Sequence, residues 1–182
     1  MALSGSLTGS GKIYWQDSNN YKTLVFSWTA TQNIEANTST ISWTLSYTGN
    51  TGGYVSGVSW SVTLGAVSGT LTGTTSGSGS QDFSGTSGTL KTGTAVLSAL
   101  ENGTSSFSVS FSGTPAGTSH TCSGSTSWTI DQIPRNDLIF VKVGGQWKSG
   151  IPYVKVNGVW QKGKKFYVKT NNAWVESSLK GG

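Results

Sequence analysis

The chain has 182 residues, a formal net charge of +5, 10% charged residues, one histidine and one cysteine. That length holds one or two domains, the lone cysteine excludes an intramolecular disulfide, and the lone histidine excludes a multi-histidine metal site. Eight Trp, six Tyr and six Phe supply too much apolar area for a disordered chain.

Met1-Ala2-Leu3-Ser4 opens the chain without a basic or an apolar signal region, so no secretory signal is read. No run is long and apolar enough to predict a membrane span. From there the dominant pattern is alternation with period two. Leu24, Phe26 and Trp28 alternate with Val25, Ser27 and Thr29. Ile41, Trp43, Leu45 and Tyr47 alternate with hydroxyl residues, as do Val58, Trp60, Val62 and Leu64, then Phe107, Val109 and Phe111, then Trp128 and Ile130. A strand with one face on a core and one in water reads this way, whereas a helix would scatter these residues round its surface. The expected core is Phe26, Trp28, Trp43, Leu45, Trp60, Val62, Phe107, Val109, Phe111 and Trp128.

Asp17-Ser18-Asn19-Asn20, Thr48-Gly49-Asn50-Thr51-Gly52-Gly53 and Glu101-Asn102-Gly103-Thr104 are turn clusters between the runs. Short strands at short intervals predict an antiparallel sandwich or barrel of roughly seven or more strands. The segment Gly65–Gly93 is so rich in Gly, Ser and Thr that the pattern admits either thin edge strands or a loop. Uncharged Ser/Thr faces suit a domain packed beside many copies of itself.

Little chemistry is encoded. Cys122 alternates with His120 and Gly124, which fits a buried small hydrophobe. His120 among so many hydroxyls reads as structural rather than catalytic. No Gly-x-Ser-x-Gly elbow is present, the seven acids form no close pair, and the Gly-rich run Thr70–Gly88 lacks the Gly-Lys-Ser/Thr ending of a phosphate loop. No catalytic, cofactor-binding or metal-binding residue is therefore expected. Asn37-Thr38-Ser39 and Asn102-Gly103-Thr104 match the glycosylation pattern, which without a secretory route is read as chance.

Three stretches carry a resemblance: Ile34-Glu35-Ala36-Asn37-Thr38-Ser39-Thr40-Ile41; Glu101-Asn102-Gly103-Thr104 before Phe107-Ser108-Val109-Ser110-Phe111; and Ile133-Pro134-Arg135. Over Leu3 to Arg135 the chain resembles the N-terminal domain of structural proteins of long-tailed bacteriophages. The resemblance implies an Ig-like domain in a virion component of tail, tail-tip, fibre or collar type, with no catalytic residue to carry over. It also implies a protein made in the host cytoplasm and located in the virion.

Composition changes at Trp128–Arg135. Up to Asp131 there are three lysines (Lys12, Lys22, Lys91) against five acids (Asp17, Glu35, Asp82, Glu101, Asp131). After it, nine Lys/Arg face two acids, Asp137 and Glu176. Pro134 biases Ile133 toward extended conformations and breaks the strand run. The expected modules are 1–135, a Ser/Thr/Gly-rich β-sandwich, and 136–182, a basic Lys/Trp/Tyr module.

The second module repeats. Phe140-Val141-Lys142-Val143-Gly144-Gly145-Gln146-Trp147 is followed by Tyr153-Val154-Lys155-Val156-Asn157-Gly158-Val159-Trp160 and Tyr167-Val168-Lys169-Thr170-Asn171-Asn172-Ala173-Trp174. Gly-Gly, Asn-Gly and Asn-Asn tolerate the positive φ angles of a type I′ hairpin turn. A two-residue turn places Lys142, Lys155 and Lys169 across from Trp147, Trp160 and Trp174, at non-hydrogen-bonded positions where side chains come closest. One face of each hairpin is then aromatic and basic, the other aliphatic. Three hairpins alone bury too little for independent stability, so they are expected to lean on the first module or on another chain.

The fold class expected is thus all-β: an antiparallel Ig-like sandwich followed by a small repeat of three β-hairpins. Function divides between two readings. In the first the chain is a non-enzymatic virion structural protein of tail, neck, collar or head surface, multimeric and in contact with other virion proteins, its aromatics and valines both serving as core or subunit interface. In the second the valine face is core, and Trp147, Tyr153, Lys155, Trp160, Tyr167, Lys169 and Trp174 form a strip that binds a host cell-surface glycan. Nucleic acid ranks below both, because the lysines share their face with aromatics. A wall-degrading enzyme ranks lowest.

Overall fold

The structure is a computed structural model that describes residues 2–14, 16, 19–50, 53–134, 139–150, 152–163, 167–170 and 172–176. At 139, 140, 147, 149, 168, 170 and 176 it describes the backbone alone. The expected turn residues Asp17, Ser18, Thr51, Gly52 and Asn171, and the boundary residue Arg135, lie outside the described residues.

The described residues are all-β, without a helix. Nine strands come first: β1 (Ser4–Thr8), β2 (Lys22–Asn33), β3 (Thr38–Gly49), β4 (Val55–Ser68), β5 (Thr70–Gly73), β6 (Ser76–Phe83), β7 (Ser87–Ser98), β8 (Ser105–Pro115) and β9 (Cys122–Ile130). They form a five-stranded antiparallel sheet in the order β1-β2-β3-β7-β5 and a four-stranded one in the order β6-β4-β8-β9. The alternating residues behave as their period requires. Leu24, Phe26, Trp28, Ile41, Trp43 and Leu45 from one sheet share a single buried cluster with Val58, Trp60, Val62, Phe107, Val109 and Phe111 from the other. Each such side chain removed from water stabilises the fold by about 1.5–3 kcal/mol. Trp128 is the exception among the expected core. It is half-buried, because β9 is an edge strand, and it packs on the rings of Phe26, Trp28 and Phe107 at 5.9, 5.6 and 5.5 Å between centroids.

The segment Gly65–Gly93 forms strands: the end of β4, the edge strands β5 and β6, and the start of β7. Five glycines here and elsewhere share one cause. Gly5, Gly79, Gly88, Gly93 and Gly124 each sit directly across a strand pair from an aromatic, respectively Trp28, Trp60, Tyr47, Trp43 and Phe111. A Cβ at any of the five would come within 2.8 Å of the ring it faces. Glycine opposite a large ring lets the ring lie down over the neighbouring backbone and seal the core.

The motif residues also have structural work. Asn37, at φ 54°, donates from Nδ2 to the carbonyls of Ala99 and Leu100, tying the β2–β3 turn to the chain after β7. The Oδ1 of Asn102 accepts from the backbone N–H and the hydroxyl of Thr104. Ile133 is fully buried and its N–H donates to the Gly103 carbonyl at 3.0 Å. The chain accordingly divides into two units, Met1–Ile133 and Pro134–Gly182.

The second unit holds β10 (Ile139–Val143), β11 (Gln146–Gly150), β12 (Tyr153–Val156), β13 (Val159–Lys162), β14 (Tyr167–Thr170) and β15 (Ala173–Glu176). Among the described residues these make three separate two-stranded antiparallel sheets, β10-β11, β12-β13 and β14-β15.

Candidate functional site

Each hairpin is built by its turn. Gly144 and Gly145 adopt φ of 59° and 84°, and Asn157 and Gly158 adopt 50° and 82°. Those are the left-handed angles of a type I′ turn, whose twist matches that of the strands it joins. In the third hairpin Asn172 has φ 63°. The turn then fixes the register: Lys142 faces Trp147, Lys155 faces Trp160 and Lys169 faces Trp174. The offset is the same three times over with different turn residues.

In the middle hairpin Tyr153 faces Lys162 and Lys155 faces Trp160, which gathers two aromatics and two lysines on one face. The Lys155 Nζ lies 5.9 Å from the Trp160 ring centroid. That is the outer limit of a cation–π contact, worth about 0.5–1 kcal/mol at an exposed site. Val154, Val156 and Val159 occupy the opposite face. The third hairpin repeats this with Tyr167, Lys169 and Trp174. The side chain of Trp147 lies outside the described residues.

The valine faces, expected as core or subunit interface, are open in the single chain. Val141, Val143, Val154, Val156, Val159 and Val175 are all exposed. So are Tyr153 and Tyr167, and Trp160 and Trp174 expose 65% and 69% of their surface. A ribbon two strands wide and four or five residues long has two open faces and nothing of its own to lay behind either. The hairpins thus carry exposed apolar side chains among their described residues. Chemically the strip offers flat rings for stacking and ammonium groups for anionic partners.

In the first unit the exposed large hydrophobics include Leu3, Ile34, Tyr54, Val67 and Leu100. A depression of about 430 Å³ on the five-stranded sheet is lined by Ser27, Trp28, Thr29, Ser42, Trp43, Thr44, Thr92, Gly93 and Thr94, with no acid, lysine or histidine among them. His120 stacks on Tyr14 with centroids 3.8 Å apart, and its Nδ1 lies 3.1 Å from the Tyr14 carbonyl oxygen. Cys122 is buried, and its Sγ accepts the Leu24 N–H at 3.3 Å. Burial pushes its thiol pKa up, away from a reactive thiolate. Among the described residues no three His, Cys, Asp or Glu side chains gather as a metal site would require.

Two polar devices were not legible in the sequence. Lys22 is fully buried, and its Nζ donates to the Gly85 carbonyl at 2.5 Å. Burial holds its ammonium below the usual lysine range. Asp82 accepts the Tyr54 hydroxyl at 2.6 Å and the Gly57 N–H at 2.8 Å, and these two bonds, the Tyr54 one first, hold its carboxyl below the ordinary range. Lys22 occupies an apolar slot in the alternation of β2, the one available signal, while the Asp82 contacts join segments that no local pattern links.

No helix among the described residues is long and apolar enough to cross a membrane. No protein-family model matches the chain, and no curated protein sequence matches it.

Proposed function

We propose that the chain is a non-enzymatic structural protein of a bacteriophage virion, of tail, tail-tip, fibre, neck, collar or head-surface type. In this reading the sandwich is the rigid body, and the C-terminal hairpins are the surface by which it engages a neighbouring component. The observation that carries it is the threefold recurrence of one Lys–Trp register, with the rings of Trp160 and Trp174 and the valines of the opposite faces exposed. A ribbon with bare valines on one side and bare aromatics on the other is completed by a partner on at least one of them. The resemblance of Leu3 to Arg135 to phage structural domains supplies the setting. Immunogold labelling of phage particles with antibody to residues 136–182 tests it. Label at one fixed structural position is expected; particles that carry none of the protein overturn it.

A second reading has one observation in its favour. Trp160 and Trp174 hold their rings open beside a lysine, an arrangement suited to stacking on sugar rings of an anionic cell-surface polymer. A glycan array run with Trp160→Ala as control decides between the two. Binding lost in the variant favours the glycan, and no binding by either protein leaves the hairpins as assembly contacts.

A further inference from the structure

Strands β1 and β5 end the five-stranded sheet, and β6 and β9 end the four-stranded one. A sheet edge presents unpaired N–H and C=O groups, and proteins blunt such edges with charge, proline, bulges, cover or short length. Three of the four are managed. β1 and β9 are tied along one side by the bridges Ala2–Ile130 and Ser10–Ser123. β5 is four residues long and ends in Gly73 at φ 93°. β6 is eight residues long, has no proline, carries no charge before Asp82, and keeps its register without a bulge from Ser76 to Gln81. Ser76 and Ser78–Asp82 are exposed.

One hydrogen bond fixes which groups of β6 point outward. The Leu64 N–H donates to the Thr75 carbonyl, which makes Leu64–Thr75 a hydrogen-bonded pair. By antiparallel alternation Val62–Gly77, Trp60–Gly79 and Val58–Gln81 are hydrogen-bonded pairs too. Ser76, Ser78 and Ser80 then occupy the intervening pairs, and their N–H and C=O groups point away from β4. Among the described residues no strand receives them.

We propose that β6 is a homodimerisation edge, paired antiparallel with β6 of a second copy about a two-fold axis through Ser78. The run Ser76-Gly77-Ser78-Gly79-Ser80 reads the same in both directions. Ser78 therefore meets its own counterpart, Ser76 meets Ser80, and Gly77 meets Gly79. The residues with outward-pointing backbone groups meet one another, so each serine gives one N–H and takes one. An isologous contact needs this self-complementarity. The seam carries no charge to oppose association. On its inner side glycine meets glycine, and the Lys91 stem already packs against Gly77. Beneath Gly79 lies the buried Trp60 indole, whose Nε1–H has no partner among the described residues. The two four-stranded sheets become one continuous sheet. This interface rests on nothing in the hairpins, and it stands or falls apart from the attachment reading.

The test is sedimentation of the full chain across a micromolar to millimolar concentration series, in reductant. A concentration-dependent dimer is expected. Ser78→Pro should be monomeric with an unchanged circular dichroism spectrum, since the Ser78 N–H makes no bond within its own sheet. A Trp160→Ala/Trp174→Ala double variant should still dimerise. Register is read by mild oxidation: Ser78→Cys should crosslink to a covalent dimer several-fold better than Ser76→Cys, whose counterparts lie on opposite sides of the axis, and native Cys122 is buried. If Ser78→Pro fails to fold, the cysteine pair alone decides. A wild-type chain monomeric throughout, a dimer that survives Ser78→Pro, a dimer lost in the tryptophan variant, or equal crosslinking at 76 and 78 overturns the proposal.

Discussion

Trp43 joins several of the contacts that hold the first unit at residue scale. Its ring is buried in the shared core, lies over Gly93 of the next strand, and donates from Nε1 to the Thr74 carbonyl at 2.9 Å. Trp43→Ala removes the ring and leaves a cavity beside a glycine that cannot fill it. A loss of about 3–5 kcal/mol is expected in denaturant unfolding, and an unchanged midpoint would refute the alternation on which the core rests. Asp82 gives a pH signature. Its folded carboxyl pKa is depressed by the bonds from Tyr54 and Gly57. Its contribution is therefore complete above the unfolded value, near 3.9, and is lost as pH falls through the folded value. The gap in unfolding midpoint between wild type and Asp82→Asn should be widest near neutrality and close below about pH 4. A gap that stays constant into acid would show that the bonds do not act on the ionised form.

The hairpin is the element that repeats, and its register is the property that matters. Trp160 and Lys155 share one face of β12-β13. The ring offers far more area to a partner than the ammonium does, so Trp160→Ala should weaken attachment more than Lys155→Ala. Raising salt should weaken it only modestly, because stacking is not screened. An attachment abolished by Lys155→Ala or by moderate salt would mark a purely electrostatic contact. Gly158, at φ 82°, sets the turn. A β-branched residue there strains the type I′ geometry, and Gly158→Val should erase the cross-strand nuclear Overhauser contacts between β12 and β13 while those of β10-β11 persist.

The whole molecule divides at Ile133, and the division is testable by cutting. Ile133 is buried and bonded to Gly103 in the first unit. A chain ending at Arg135 should therefore keep the stability of that unit. A chain ending at Ile130 loses both the buried side chain and the bond, at a cost of about 2–4 kcal/mol. Equal midpoints for the two truncations would place the boundary earlier. Residues 136–182 alone should be unfolded or self-associated, since ribbons of this size are marginal in water. A sharp monomeric spectrum from that fragment would overturn this.

Period-two alternation, turn clusters and the change of charge at Trp128–Arg135 determined the all-β class, most of the core and the hairpin register, because each is a local property of backbone geometry. Asn157-Gly158 dictates that Lys155 faces Trp160 whatever surrounds it. What the tertiary structure decided is what lies behind each strand. Alternation says that one face differs from the other, but a partner must exist for either to be buried. Val62 and Val154 sit in similar alternating runs, yet Val62 lies in a core shared by two sheets and Val154 is exposed. The same holds for the Gly/Ser stretch. Its composition left strand and loop equally open, and only pairing with β4 made Ser76–Ser80 an edge. Glycine opposite tryptophan is a relation across strands, and no reading along one strand contains it.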